Sequence, residues 1–247
     1  MTNEERVYIH ELVNITGHNR ARYLQHVTAN WGPIGQAERA QKCFGVWAVV
    51  GSTGPWPAVV NLWEYASWAG LAENFRVELT GAGLQDSALA EWWAAAAELR
   101  SGGFDSILVA PDWSPSIDMH VSGVLAPAAG YVHEWVQVET GGADAFLDTV
   151  RARGIEARGE GGMRMVGAFR KAMCADDMVL LVWSFADWSV WGEFESGPGR
   201  FRERWSEGAG DIRGWDRMLL SDAPLSPLRI GRQPSVNDRK SFGNSYP

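Results

Sequence analysis

Apolar and polar residues alternate along 6–14, Arg-Val-Tyr-Ile-His-Glu-Leu-Val-Asn, and its β-branched and aromatic content predicts a strand. Residues 17–29 change to helical spacing, with Tyr23, Leu24 and Val27 on one side and His26 close to it. Gly32-Pro33 is expected to interrupt that helix, leaving 34–42 as a short polar continuation. Two strands come next, at 43–51 and 57–65, joined by the turn Ser52-Thr53-Gly54-Pro55-Trp56. A helical block at 67–78 is broken by Thr80-Gly81-Ala82-Gly83, and alanine-rich helix resumes from Ser87 to Arg100. Gly102-Gly103 is expected to stop it before a fourth strand at 104–110. The order β-α-β-β-α-β is that of the split βαβ, or ferredoxin-like, unit.

The same landmarks then recur in the same order. Tyr8-Ile9-His10-Glu11 returns as Tyr131-Val132-His133-Glu134, and Gly45 as Gly167. Leu62-Trp63-Glu64-Tyr65-Ala66-Ser67-Trp68 returns as Val182-Trp183-Ser184-Phe185-Ala186-Asp187-Trp188. Gly103-Phe104-Asp105 answers to Gly214-Trp215-Asp216, and Ser114-Pro115 to Ser226-Pro227. The second copy reads as strand 131–139, helix 143–153, a glycine-rich turn through Gly162, and strands 163–172 and 178–185. Helices near 187–196 and 199–208 and a strand at 215–220 complete it. The chain is therefore read as a tandem duplication, with repeats at 1–112 and 130–224, a Pro- and Ala-rich linker at 113–129, and an irregular tail at 225–247. A four-stranded antiparallel sheet with helices on one face leaves its other face apolar and uncovered. Two such units can bury those faces against each other, as a pseudo-twofold α+β barrel in one polypeptide.

Composition narrows the function. With 46% hydrophobic and 21% charged residues the chain can bury a core, and no window approaches the roughly 18 apolar residues of a membrane span. A net charge of −8 argues against nucleic acid as a partner. Cys43 and Cys174 lie at non-equivalent places without metal-ligand spacing and are read as reduced thiols; with the polar N-terminus this gives a cytoplasmic expectation. The tail carries Arg229, Arg232, Arg239 and Lys240 against Asp238, so it is expected to pack on an acidic surface of its own chain or of a partner subunit. Fourteen tryptophans stand out. The matched pairs Trp63/Trp183, Trp68/Trp188 and Phe104/Trp215 suit a core, but each indole N–H wants an acceptor, so an aromatic-lined cavity is the competing reading.

One family resemblance rests on Phe44-Gly45-Val46-Trp47, Gly51 and Pro57-Ala58-Val59-Val60-Asn61-Leu62-Trp63-Glu64-Tyr65. A glycine-containing strand, a turn and an apolar strand ending Leu-Trp-x-Tyr resembles the NIPSNAP signature. His10-Glu11-Leu12 falls where that family shows Tyr-Glu-Leu, and Ser-Pro comes after the last strand. His10 and His133 in place of Tyr, and Ser184 in place of Glu64, depart from it. The resemblance implies the dimeric α+β barrel superfamily, which includes cofactor-free monooxygenases, cyclases, muconolactone-type isomerases, dehydratases and several heme enzymes. It does not imply one reaction.

Alternation separates the candidate groups. Tyr8, His10 and Leu12 share one face of their strand, and Ile9, Glu11 and Val13 the other; Tyr131, His133, Trp135 and Gln137 oppose Val132, Glu134, Val136 and Val138 in the repeat. Neighbouring His and Glu therefore cannot form one dyad. Glu134 in a row of valines is either an acid or base tuned by desolvation or half of a buried ion pair, with Arg164 or Arg170 as partner. His10 and His133, each beside a tyrosine, are either proton shuttles or hydrogen-bonded histidines between the sheets. Trp63, Trp183, Trp135, Trp47 and Phe169 are expected to wall a cavity, with Asn61 and His26 as polar members. No Gly-rich nucleotide loop, nucleophile elbow or metal-ligand spacing is present, although a heme held by one histidine would leave no sequence trace. The expected activity is proton transfer on a small apolar or aromatic molecule (lyase, isomerase or cyclase) without an organic cofactor. The alternatives are a cofactor-free or heme-dependent monooxygenase and a non-catalytic scaffold, and homo-oligomerisation is possible.

Overall fold

The structure is a computed structural model describing residues 5–123, 128–197 and 212–239. The expected helix at 199–208 lies outside them, as does Lys240 of the tail. The first unit comprises β1 (Val7–Ile15), α1 (Arg20–Gln25), a π-helical turn (His26–Trp31), α2 (Gly32–Glu38), β2 (Lys42–Val49), β3 (Ala58–Tyr65), α3 (Trp68–Glu78), α4 (Ala90–Ala97) and β4 (Arg100–Val109). A short α5 (Ile117–Ser122) lies in the linker. The second unit comprises β5 (Gly130–Gln137), α6 (Ala143–Thr149), a π-helical turn (Val150–Gly154), α7 (Ile155–Glu160), β6 (Met163–Lys171), β7 (Met178–Phe185), α8 (Trp188–Ser196) and β8 (Gly214–Asp222). The tail adds α9 (Pro227–Ile230).

All eight strands join in one closed antiparallel barrel, β1-β3-β2-β8-β5-β7-β6-β4. Each unit keeps the ferredoxin-like order, and closure comes from short seams, Trp47–Val49 against Leu220–Asp222 and Leu108–Val109 against Arg170–Lys171. The duplication holds in register: Ile9 lies opposite Trp63 as Val132 lies opposite Trp183, so Tyr8 and Tyr131 are equivalent positions. Eight strands enclose a space that side chains alone can fill. Tyr8, Phe44, Trp47, Leu62, Tyr131, Phe169 and Val182 fill it, with Trp135 packed alongside. The outer faces carry separate cores. In the first unit Ile9, Val13 and Trp63 meet Tyr23, Leu24 and Val27 of the helices; in the second Val132, Val136 and Trp183 meet Phe146, Leu147 and Val150. The matched glycines make room for the barrel's large rings: a Cβ on Gly45 would lie 2.2 Å from the Trp47 indole, and one on Gly167 2.6 Å from the Phe169 ring.

Several local expectations are corrected. Gly32-Pro33 does not interrupt the helix, because the preceding π-helical turn widens the backbone where proline has no N–H to donate. β4 begins at Arg100, and Gly102-Gly103 lies inside it; a Cβ on Gly103 would stand 2.3 Å from the Leu12 carbonyl oxygen. Phe104 and Trp215 are not equivalent, since Leu12 faces Phe104 whereas Val136 faces Trp215. Phe104 is 64% exposed, and Trp68 and Trp188 are also exposed, so none of the three is a core residue. The tail is seated on the first unit mainly by hydrogen bonds. The Gln233 side chain donates to the Cys43 carbonyl and accepts from its N–H, Gln36 donates to the Pro234 carbonyl, and Arg239 to the Ala29 carbonyl. Arg232 pairs with Asp238 inside the tail itself.

Candidate functional site

The predicted residues occupy three separate places. Inside the barrel, the two repeated histidines meet on the pseudo-twofold axis, His10 Nε2 lying 3.3 Å from His133 Nδ1. Trp47 stands edge-on to His133 at 4.8 Å and Trp135 to His10 at 5.4 Å. Burial among these rings depresses both basicities: His10 falls to about 4, and His133 falls further below its ordinary value because His10 adds to the desolvation. The rim carries two tyrosine–carboxyl pairs. Tyr8 Oη donates to Glu64 Oε2 at 2.8 Å, and Tyr131 bonds to Asp222, whose carboxyl burial raises to about 7.

The second place lies between the second sheet and its helices. Glu134 is wholly buried there, and it is an ion-pair member. Its partner is neither Arg164 nor Arg170 but Arg158 of α7, 2.8 Å from Oε1. The β6 residue level with Glu134 across β7 is Ala168, so both expected arginines stand too far along the strand. Trp215 Nε1–H also donates to Oε1 at 2.6 Å, and Trp183 Nε1–H to Oε2 at 2.8 Å. The Arg158 guanidinium lies 5.6 Å from the Trp183 and Trp215 ring centres and 5.0 Å from that of Phe194. Charge, donors and aromatic rings around Glu134 are all supplied by the chain itself, and Glu134 and Arg158 are both buried.

The third place is the matching space of the first unit, and it is open. Helix register identifies Gly35 as the counterpart of Arg158, Trp31 of Gly154 and Tyr23 of Phe146, because both first helices contain a π-helical turn that passes at once into α-helix. On the sheet, Asn61 faces Glu11 where Leu181 faces Glu134. Glu11 Oε2 accepts from Asn61 Nδ2 at 2.7 Å and Trp63 Nε1 at 2.9 Å, while Asn61 Nδ2 also lies 2.9 Å from Tyr23 Oη. Oε1 has no protein partner among the described residues. With no arginine bonded to it, desolvation first and then the cross-strand Asp105 raise the Glu11 carboxyl to about 7, against the bonds from Asn61 and Trp63 and the charge of Arg100 in the same wall. Glu78 of α3 is raised as well, by burial.

These groups surround a cavity of about 50 Å³, walled by Trp31, Trp63, Trp92 and Trp93 with Tyr23 and Tyr65. Trp31 Nε1–H donates to Gln41 Oε1 at 2.7 Å, and the Gln41 amide to Tyr65 Oη at 2.6 Å, which fixes one wall. Asn74 Oδ1 and the indole N–H groups of Trp92 and Trp93 are buried without hydrogen-bond partners among the described residues. His26 stacks on Trp92 at 4.8 Å, behind the wall. Of the predicted residues, Glu11 and Trp63 line this cavity, Asn61 is buried beside it and bonded to Glu11, and His26 lies behind the wall; Trp47, Trp135 and Phe169 belong to the barrel interior, and Trp183 to the Glu134 pair. Sequence reasoning does not single out Trp31, Trp92, Trp93, Glu78 or Arg100. Trp31 alone carries a signal, since its counterpart in the second copy is Gly154. A heme does not fit this cavity, which is too small and has no histidine in its wall.

No protein-family model matches the chain, and no curated protein matches it. Solved structures do. A candidate monooxygenase from Fusobacterium nucleatum superposes with a TM-score of 0.58 at 12% identity, over 90% of this chain and 94% of that one. A candidate monooxygenase from Lactobacillus acidophilus gives 0.56 at 12% identity, over 88% and 93%. An anthrone oxidase-like protein gives 0.58 at 10% identity, over 90% and 92%. At such identities the likeness is one of fold: the chain is a dimeric α+β barrel closed within a single polypeptide.

Proposed function

We propose that the chain is an enzyme acting on a small molecule in the first-unit cavity, with Glu11 as general base, and that the reaction is an oxidation by dioxygen without an organic cofactor. The observation that carries this reading is Glu11 itself. Its carboxyl titrates near neutrality, has one unpartnered oxygen, and borders a cavity walled by four indoles, while its twin Glu134 is neutralised by an internal arginine. A base of this strength suits a C–H or O–H made acidic by conjugation. Glu11 takes the proton, and the resulting carbanion or phenolate reacts with dioxygen. For a methylene carbon the balance is CH2 plus O2 to C=O plus H2O. The oxidative direction is supported by the names of the solved structures that share the fold, monooxygenase and anthrone oxidase-like. The lyase or isomerase reading uses the same base and differs only in the fate of the anion once the proton has left.

About 50 Å³ is below the roughly 300 Å³ of a common ligand pocket, so an aromatic substrate needs the outer wall bearing Trp92 and Trp93 to swing away. The Arg39–Asp86 ion pair ties α2 to the segment before α4 and holds that wall closed.

The test is oxygen uptake and product formation over a panel of enolisable aryl ketones and phenols. Glu11→Gln should lower turnover by about 10²–10⁴, and wild-type turnover should climb with pH through about 7 as the carboxylate forms. Unchanged turnover in a folded Glu11→Gln chain would remove Glu11 from the mechanism. Turnover without oxygen uptake would return the reaction to the lyase or isomerase class.

A further inference from the structure

The duplication supplies an internal comparison for the first-unit cavity. In the second unit the same volume is occupied by a side chain of the protein, and that side chain is a planar cation. Arg158 rises from the helix, places its guanidinium on Glu134 Oε1, and lies among Trp183, Trp215 and Phe194. In the first unit the sheet keeps the equivalent carboxylate and indole, Glu11 and Trp63, bonded to each other as Glu134 is to Trp183. Gly35 stands where the arginine would begin, and the oxygen left free on Glu11 is Oε1. We infer that the first-unit cavity binds a ligand with a planar nitrogen cation, a guanidinium or amidinium group, seated on Glu11 Oε1 as Arg158 is on Glu134.

Size and chemistry agree. The cavity is small, about 50 Å³, and a guanidinium head is a compact planar group. Trp31, Trp63, Trp92 and Trp93 line the cavity with aromatic surface, which suits a planar group. Asn74 Oδ1, buried and unpartnered, is an acceptor for a second N–H. The charged and titratable groups around Glu11 are Asp105 and Arg100 on β4, Glu78 on α3, Tyr23 on α1, Tyr65 on β3 and Cys43 on β2. Arg100 is the cation in the wall, but it stands over Trp93 at 5.4 Å and faces three carboxyls, Glu11, Glu78 and Asp105, so negative charge remains in excess. The inference rests on this cavity being the functional site. A cationic head there keeps Glu11 ionised and occupies the oxygen that the base reading uses, so such a ligand competes with a neutral substrate.

The test compares methylguanidinium with N-methylurea, its uncharged analogue of the same shape, by calorimetry on the full chain. Methylguanidinium should bind and methylurea should not. Binding at pH 6 should release close to one proton and be about tenfold weaker than at pH 8, since Glu11 must first give up its proton. Glu11→Gln should weaken binding about tenfold or more. Gly35→Arg, which supplies the missing side chain, should abolish it; its Cβ would stand 2.7 Å from Gln41 Oε1 and 3.5 Å from Trp31 Nε1, so the Gln41 side chain must shift, and a circular dichroism melt checks that the variant is folded. Equal binding of both probes to the wild-type chain would overturn the inference without any variant, as would binding with no proton release at pH 6. Methylguanidinium binding in a chain that turns over no substrate would keep this inference and sink the catalytic reading. Turnover of neutral substrates uninhibited by methylguanidinium would do the reverse.

Discussion

Glu11 and Glu134 are one residue copied and then given different neighbours. Strand alternation put both on the face opposite the histidines, and that part was legible in the sequence. The neighbours were not, because Arg158 and Gly35 come from the helical segment that follows each strand, and no strand pattern shows how that segment docks. The pair makes a sharp stability prediction. Glu134→Gln leaves the Arg158 charge buried without its counterion and should cost about 3–5 kcal/mol in urea denaturation. Glu11→Gln removes no such partner. A carboxyl raised to about 7 when folded stabilises the fold most below its unfolded value and less as pH rises through 7, so the glutamine variant should gain stability relative to wild type as pH rises from 5 to 8. Equal losses in the two variants at pH 8 would contradict the asymmetry.

The first helix of each unit shows how an element can be predicted in outline and missed in detail. Periodicity marked Tyr23, Leu24 and Val27 as the buried side, and they are buried. The π-helical turn beyond them carries Trp31 to the cavity wall and lets the helix run through Pro33, and no residue pattern announces such a turn. The tail behaves similarly. Its basic residues suggested ion pairs with an acidic surface, whereas its seat is a set of directional hydrogen bonds centred on Gln233. Gln233→Ala should therefore lower stability by about 1–3 kcal/mol, to the same extent at low and high salt. A loss that shrinks with salt would restore the electrostatic account.

At the scale of the molecule, closure of the barrel buries the two histidines against each other. Each has its basicity depressed by burial, His10 to about 4, so the unfolded chain takes up protons that the folded chain refuses as pH falls below about 6.5. Stability contributed by the neutral pair is present above that value and is lost between about 6.5 and 4, by up to about 1.4 kcal/mol per pH unit for each histidine. Denaturant melts at pH 7 and pH 5 should show wild type losing stability relative to the His10→Gln, His133→Gln double variant. Parallel behaviour of the two chains would mean that the histidines do not carry the acid sensitivity.

The repeated motifs and their periodicities were enough to determine the duplication, the strand order of each unit and the faces of the β1 and β5 side chains, because those properties come from local backbone geometry; they did not separate Trp63 and Trp183, on the outer faces, from Trp47, Trp135 and Phe169 inside the barrel. Tertiary structure decided the rest. It joined two sheets edge to edge into one barrel, brought His10 to His133, and set a helix over each outer face with an arginine in one copy and a glycine in the other. The candidate site exists through that last difference, since a carboxylate acquires a near-neutral pKa and an open cavity only when the group packed above it, remote in sequence, fails to fill the space.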